Sequence, residues 1–177
     1  MINMSLTKHI PLTQGKFAIV DAAYYDFIMR WDWHYCNGYA IRRKYIGIID
    51  GKQIQKTIHM HRLINRTVIG CLTDHKNGNG LDNRKDNLRS CTYSENNMNS
   101  KFRKNCTSKY KGVAWHKQTK KWRAYISKNK KTKYLGLFKN EEDAAKKYNE
   151  AAKELFGEFS RLNNISNYRH ADTIQII

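Results

Sequence analysis

Acidic residues are scarce in this 177-residue chain: 15 Asp plus Glu stand against 33 Lys plus Arg, a formal charge of +18 at pH 7. That imbalance favours a polyanionic partner, nucleic acid ahead of an anionic membrane surface. Long apolar runs are missing as well. None approaches the ~18 residues that a bilayer span needs, and the opening MINMSLTKHIPLTQGK lacks the unbroken apolar core of a signal peptide. The expectation is a soluble, intracellular, cytoplasmic protein with no membrane partner. Cysteines are few and scattered. Cys36, Cys71, Cys91 and Cys106 form no CxxC pair, which argues against a zinc knuckle or a small disulfide scaffold and leaves reduced thiols.

Local signals divide the chain into two small modules. Asp21 is placed to N-cap a short helix through AAYYDFIMR. From Gly38 the chain is rich in Ile and Tyr and contains Asp50-Gly51, a dipeptide favoured in two-residue hairpin turns, so antiparallel strands are predicted near 39–49 and 52–60. HRLINRTVIG reads as a short amphipathic helix, Cys71–Thr73 as a brief strand, and Leu88–Cys91 as another. Thr92-Tyr93-Ser94-Glu95 matches a capping box and predicts a helix from Tyr93 with Asn96 in its first turn. Residues 101–109 form a basic linker with the domain boundary near 105, giving domains 1–104 and 105–177.

Beyond the linker, Tyr110–His116, Lys121–Ser127 and Lys133–Phe138 read as an antiparallel meander. Asn140 then N-caps a helix with three acids in its first turn and Gly157 as its stop. Ala144, Ala145, Tyr148, Ala151, Ala152 and Leu155 share one apolar face. Strand alternation turns Trp122, Ala124 and Ile126 toward that helix, with Leu135 and Phe138 joining the core, and turns Arg123, Tyr125 and Ser127 outward. The fold class expected is α+β. No pattern is assigned from Ile165 onward.

Acid is absent altogether between Lys101 and Asn140, where fourteen Lys or Arg residues occur. A sheet with one face on a helix and the other basic and aromatic suits the DNA major groove, with Arg123, Tyr125 and Tyr134 near base edges or sugars. The bland reading is a solvated cationic surface. "YKGV", "KWRAYI", "YLGLF" and "EEDAAKKYNEAAKELFGEFSRLN" resemble the DNA-binding domain of plant APETALA and ethylene-response factors over residues 108–163. That resemblance implies a three-stranded sheet packed on one helix, with Lys111, His116, Arg123, Tyr125 and Tyr134 facing duplex DNA. Several family arginines are replaced by Ala114, Tyr125 or Ser127, so the plant target sequence does not carry over.

The stretch DHKNGNGLDNRKDNL, residues 74–88, holds almost nothing apolar. A carboxylate next to an imidazole on a short strand suits metal-assisted phosphodiester hydrolysis: Asp74 can hold a hard cation and His75 can take a proton from water. Asn77, Gly78, Asn79, Gly80, Asp82 and Asn83 supply tight turns, and His61 and Arg62 read as packing or supporting residues. Together with TYSENNMN and the upstream MHRLI, the stretch resembles the HNH motif of phage-type homing endonucleases, closely over 57–100 and loosely before. The resemblance implies a ββα-metal site. In it Asp74 and Asn96 ligate one ion, His75 is the general base, and Asn87 orients His75 and the loop. Asn96 stands in the motif's third position, where His is usual, and a neutral oxygen ligand suits Mg²⁺ or Mn²⁺ rather than Zn²⁺. The function implied is a divalent-metal-dependent HNH DNA endonuclease. It would nick as a monomer or make paired cuts as a dimer, in a host's cytoplasm if phage-encoded. The alternatives are a non-catalytic DNA-binding regulator that uses the HNH region as a scaffold, and an RNA-binding protein.

Overall fold

The computed structural model describes residues 6–100 and 106–165. The chain divides into two compact units, Met1–Ser100 and Lys101–Ile177, both of mixed helix and antiparallel sheet. The expected boundary near residue 105 falls in 101–105, outside the described residues, as does the tail beyond Ile165.

In the first unit, Thr7–Pro11 (β1) and Phe17–Asp21 (β2) pair antiparallel and lead into Ala22–Ile28 (α1). Alternation along β2 buries Ala18 and Val20, and β1 adds Ile10. Asp21 occupies the N-cap of α1, but its side chain makes no cap bond there. Its Oδ2 instead accepts from the Lys85 amide at 2.8 Å, tying β2 to the polar loop.

His34–Cys36 (β3), Tyr39–Ile49 (β4) and Lys52–His59 (β5) form a sheet in the order β3-β4-β5. Strand β3 is an addition to the expected pair. Each turn has two positive-φ residues, Asn37 and Gly38 (48° and 88°), then Asp50 and Gly51 (50° and 72°), the backbone that suits the twist of a tight hairpin. Met60–Asn65 (α2) follows and ends at Arg66, which is left-handed. Leu72–His75 (β6) and Leu88–Cys91 (β7) pair antiparallel, and Tyr93–Met98 (α3) contacts both.

Strand β6 runs past the expected Thr73 and carries Asp74 and His75 itself. The predicted capping box is present: the Glu95 amide donates to Thr92 Oγ1 at 3.2 Å, and the Thr92 amide to Glu95 Oε2 at 2.8 Å. Ile10, Leu12, Ala18, Val20, Ile28, Trp33, Ala40, Met60, Ile64 and Leu88 make one buried cluster. Leu88, opposite His75 in the β6–β7 register, anchors the polar hairpin to that cluster.

In the second unit, Val113–His116 (β8), Lys121–Lys128 (β9) and Lys131–Phe138 (β10) form a sheet in the order β10-β9-β8, and Glu141–Phe156 (α4) packs on it. Tyr110, Val113, Ala124, Ala144 and Ala145 are its buried centre, flanked by Trp122, Leu135, Phe138 and Ile165. Leu155, expected on the apolar face of α4, is exposed, and Phe156 is buried instead. Asn163 closes the unit. Its side chain accepts from the Lys111 amide at 2.7 Å and donates to the Lys111 carbonyl at 3.0 Å, while its own amide donates to Asn149 Oδ1 at 2.7 Å.

The first expected strand starts late, at Val113, because Gly112 has φ +73° and Tyr110 turns into the core. A Cβ on Gly112 would collide with the Tyr148 ring and lie 2.6 Å from the Tyr125 carbonyl oxygen. Gly112→Ala therefore combines overpacking with positive-φ strain, an expected loss of about 2–5 kcal/mol. Chemical denaturation of the two proteins measures it.

Candidate active site and nucleic-acid interface

Side-chain amides hold residues 76–87 in shape in place of an apolar core. The Asn79 amide donates to Asn77 Oδ1 at 2.8 Å, and the Leu81 amide to Asn79 Oδ1 at 3.1 Å, turns that Asn makes by mimicking backbone. Asp82 takes both Arg84 Nε at 2.8 Å and Arg84 Nη2 at 2.6 Å, with Asn77 Nδ2 at 2.8 Å. The Arg84 bonds hold its carboxyl below the usual carboxylate range. Buried Asn87 braces the loop from inside. Its Nδ2 donates to the Asp82 carbonyl at 2.7 Å and to Asn77 Oδ1 at 3.1 Å, and its Oδ1 accepts from the Asn77 amide at 3.0 Å. Backbone bonds between Ile19 and both Leu81 and Asn83, each 2.8 Å, stitch the loop to β2.

Asp74 and His75 lie at the end of β6 and are both buried. The cross-strand partner of Asp74 is Arg89, which donates to its Oδ2 through Nε at 2.9 Å and Nη2 at 2.7 Å. Asn99, just past α3, places its Nδ2 2.9 Å and 3.0 Å from the two carboxylate oxygens and 2.9 Å from the His75 carbonyl. The helix is thereby held against β6 through Asp74.

The His75 ring packs among other aromatic rings: His61 at 4.9 Å between centroids and Tyr39 at 5.9 Å, with His59 5.2 Å from His61. Its Nε2 faces Asn83 Oδ1 at a long 3.5 Å. Burial lowers the His75 pKa from the ordinary histidine value, opposed by the Asn83 contact and by the charges of Asp74 and Asp82. That direction favours the neutral imidazole, which has an electron pair available for a proton. His61 is pushed down to about 3, first by burial and then by its neighbours His75, His59 and Arg62, beside which a further positive charge is disfavoured.

Among the residues singled out in the sequence, the structure joins Asp74 and His75 on one strand and places Asn87 beneath the loop. Asn96 is half-buried on α3. The amide that touches Asp74 is Asn99, one turn later, and the amide beside the His75 ring is Asn83. Asn99 did not stand out, because Asn96, Asn97 and Asn99 are chemically alike and only helix phase separates them, and Asn83 reads from the sequence only as a turn residue.

No group of three His, Cys, Asp or Glu residues gathers for a metal among the described residues. The donor for an ion at Asp74 is therefore a single carboxylate, a hard ligand of the kind Mg²⁺ and Mn²⁺ prefer, while the amide beside it, Asn99, turns its Nδ2 toward it. Asp74 Oδ1 accepts only from Asn99 among the described residues, which leaves it a lone pair. This donor set fits an ion that keeps most of its coordination for water and phosphate.

In the second unit, the β8–β9–β10 register puts Ala114, Arg123 and Leu137 in one row, His116 and Lys121 in another, and Tyr125 and Tyr134 in a third. All share the face turned away from α4, so His116, Arg123, Tyr125 and Tyr134 lie together. Arg123 stacks 5.5 Å from the Tyr125 ring centroid. Lys111 lines a cavity of about 450 Å³ with Lys109, Tyr110, Arg161, Leu162, Asn163 and Asn164.

Burial, reinforced by Arg161, pushes the Lys111 pKa down to about 8 from 10.5. Between those values the unfolded chain binds the extra proton, so this group makes stability rise with pH. Lys111→Met removes that rise, which thermal unfolding of both proteins at pH 8 and pH 10 checks. Tyr148, whose hydroxyl burial pushes upward, is common to both and cancels.

Residues 108–158 match the AP2 domain model. An uncharacterized HNH endonuclease of Acanthamoeba polyphaga mimivirus is 29% identical over 153 residues, covering 86% of this chain and 77% of that protein. Protein 3.8 of Escherichia phage T7 is 40% identical over 58 residues, 33% of this chain and 48% of its own length. Over most of its length, then, this chain resembles an HNH endonuclease, and its second unit carries an AP2-like DNA-binding domain.

Proposed function

We propose that the protein is a DNA endonuclease of the homing kind, in which the first unit hydrolyses a phosphodiester bond and the second fixes the position of the cut on double-stranded DNA. Similarity to an HNH endonuclease points to nuclease activity, and the AP2 domain to DNA binding. The observation that carries the chemistry is the pairing of a buried, braced carboxylate with a buried imidazole at the end of one strand.

Asp74 and Asn96 would hold one Mg²⁺ or Mn²⁺ ion. When bound, it supplies charge stabilisation at the phosphate and at the departing 3′ oxygen. His75 takes the proton of the attacking water. With Nε2 facing the acceptor Oδ1 of Asn83, the tautomer protonated at Nε2 leaves Nδ1 as the base. His61 and Tyr39 hold the ring's plane by packing. Asn87 keeps the loop closed around it. Arg123, Tyr125, Tyr134, His116 and Lys111 contact the duplex: a small cutting site reads little sequence, and a separate sheet supplies the register.

One observation favours a second reading, a DNA-binding regulator with the first unit as scaffold: Arg89 already neutralises the Asp74 carboxylate. Incubation of supercoiled plasmid with the protein in Mg²⁺ or in EDTA decides. The nuclease reading expects open-circular or linear product in Mg²⁺ alone, and intact plasmid in both supports the regulator.

A further inference from the structure

One histidine of the first unit is buried at a cost. His61 is 7% exposed, and its Nδ1 is enclosed without a hydrogen-bond partner among the described residues. A buried polar atom left unpaired lowers stability, and a phenylalanine would fill much of the same space without that loss. The ring's position is well fixed. His61 is the second residue of α2, whose Met60 and Ile64 lie in the buried cluster. Arg62 Nη1 donates to the Cys71 carbonyl at 3.2 Å and ties the helix to the chain entering β6. A side chain at so braced a helix start can hold a reacting group in place.

Three rings surround it: His75 at 4.9 Å between centroids and 77° between planes, His59 at 5.2 Å and Tyr39 at 5.3 Å. Burial, with His75, His59 and Arg62 beside it, pushes the His61 pKa down to about 3. Near neutral pH the ring therefore stays uncharged and keeps a lone pair on one nitrogen. The same low value makes His61 a poor resting place for the proton that His75 takes up. What remains for a neutral, fixed imidazole beside a general base is to accept a hydrogen bond.

We propose that His61 Nδ1 holds the attacking water beside His75, accepting one of its hydrogens while His75 takes the other. With both hydrogens engaged, the oxygen's lone pairs are left to face the phosphorus. Bonds of about 2.9 Å to one water set two nitrogens roughly 4.6 Å apart, a separation within reach of rings whose centroids lie 4.9 Å apart. His75 Nε2 meets Asn83 Oδ1 at a long 3.5 Å, and catalytic hydrogen bonds commonly tighten only when substrate is bound. In the step, the water oxygen bonds to phosphorus and the bond from phosphorus to the 3′ oxygen breaks. One proton passes to His75, the other stays on the oxygen that joins the 5′ phosphate, and the 3′ oxygen takes a proton from solvent. His61 gains none. The inference rests on the nuclease reading above and adds a second catalytic residue, one that touches the nucleophile.

The test is single-turnover cleavage of one end-labelled duplex by full-length protein in Mg²⁺, with enzyme in excess so that the rate reports chemistry, beside binding of the same duplex in EDTA. Two variants divide the ring's roles. His61→Phe keeps an aromatic ring without nitrogen, and His61→Asn gives up the ring but carries an acceptor oxygen where Nδ1 stood. Circular dichroism verifies that both fold. His61→Phe is expected to cut about 10²-fold more slowly, the penalty of a misplaced reactant, with DNA affinity within a few fold. His61→Asn is expected to cut about tenfold faster than His61→Phe, whereas packing alone predicts the reverse order. Cleavage by His61→Phe within about threefold of wild type, or His61→Asn no faster than His61→Phe, overturns the inference and leaves the nuclease reading intact. Wild type that leaves the duplex whole in Mg²⁺ overturns both. Should either variant fail to fold, His61→Ala with added imidazole or pyrrole decides: acceleration by imidazole alone supports the role, and acceleration by both or by neither overturns it.

Discussion

His75→Ala lowers cleavage by a factor of about 10²–10⁴, the usual contribution of a positioned general base, and leaves DNA affinity within a few fold. The two effects separate because they come from different atoms. The ring of His75 is enclosed by His61 and Tyr39 and faces Asn83, so it offers a proton acceptor and little contact area. Affinity is expected to come mainly from Lys and Arg on the exposed strands, whose neutralisation of phosphates would be strongly salt-dependent. Single-turnover cleavage and salt-titrated binding on one duplex check both halves. Cleavage by the variant within tenfold of wild type would remove His75 from the chemistry.

Asp74→Ala is expected to cost stability as well as activity. The side chain of Arg89 is 11% exposed and that of Asp74 7% exposed, so deleting the carboxylate removes two charge-assisted bonds from a guanidinium in a poorly hydrated place. Breaking such a pair costs about 3–5 kcal/mol, whereas replacing both members with apolar groups is close to neutral. Asp74→Ala/Arg89→Met should therefore recover most of the stability without recovering any cleavage. Urea denaturation beside the plasmid assay reads the two quantities, and a stable, active double variant would show that Asp74 holds no ion.

The elements that were legible in the sequence are those fixed by short-range chemistry. Asp50-Gly51 demanded a positive-φ turn, Thr92 and Glu95 wrote a capping box, and β9 alternated residue by residue between α4 and the outer face. Errors fell where tertiary packing decides. Leu155 and Phe156 are neighbours and equally apolar, and only the placement of α4 exposes one and buries the other. Asn37-Gly38 carried the same kind of turn signal as Asp50-Gly51, but the three-residue strand before it was too short to read by pattern.

The candidate site divides in the same way. Asp74 and His75 were visible as a pair because they are adjacent. The Arg89 bond to Asp74 depends on the β6–β7 register, the Asn83 contact on how an eight-residue span of loop folds back, and the Asn99 contact on helix phase. The bond from Asp21 to the Lys85 amide joins residues 64 apart, a distance at which local sequence carries no signal.

Mapping of cut ends on both strands of one labelled duplex, with Mg²⁺ and with EDTA, tests the proposed function most directly. A nuclease centred on Asp74 and His75 gives a discrete Mg²⁺-dependent break that ends in a 3′ hydroxyl and is absent with His75→Ala. Breaks of equal yield in EDTA, or with His75→Ala, contradict it.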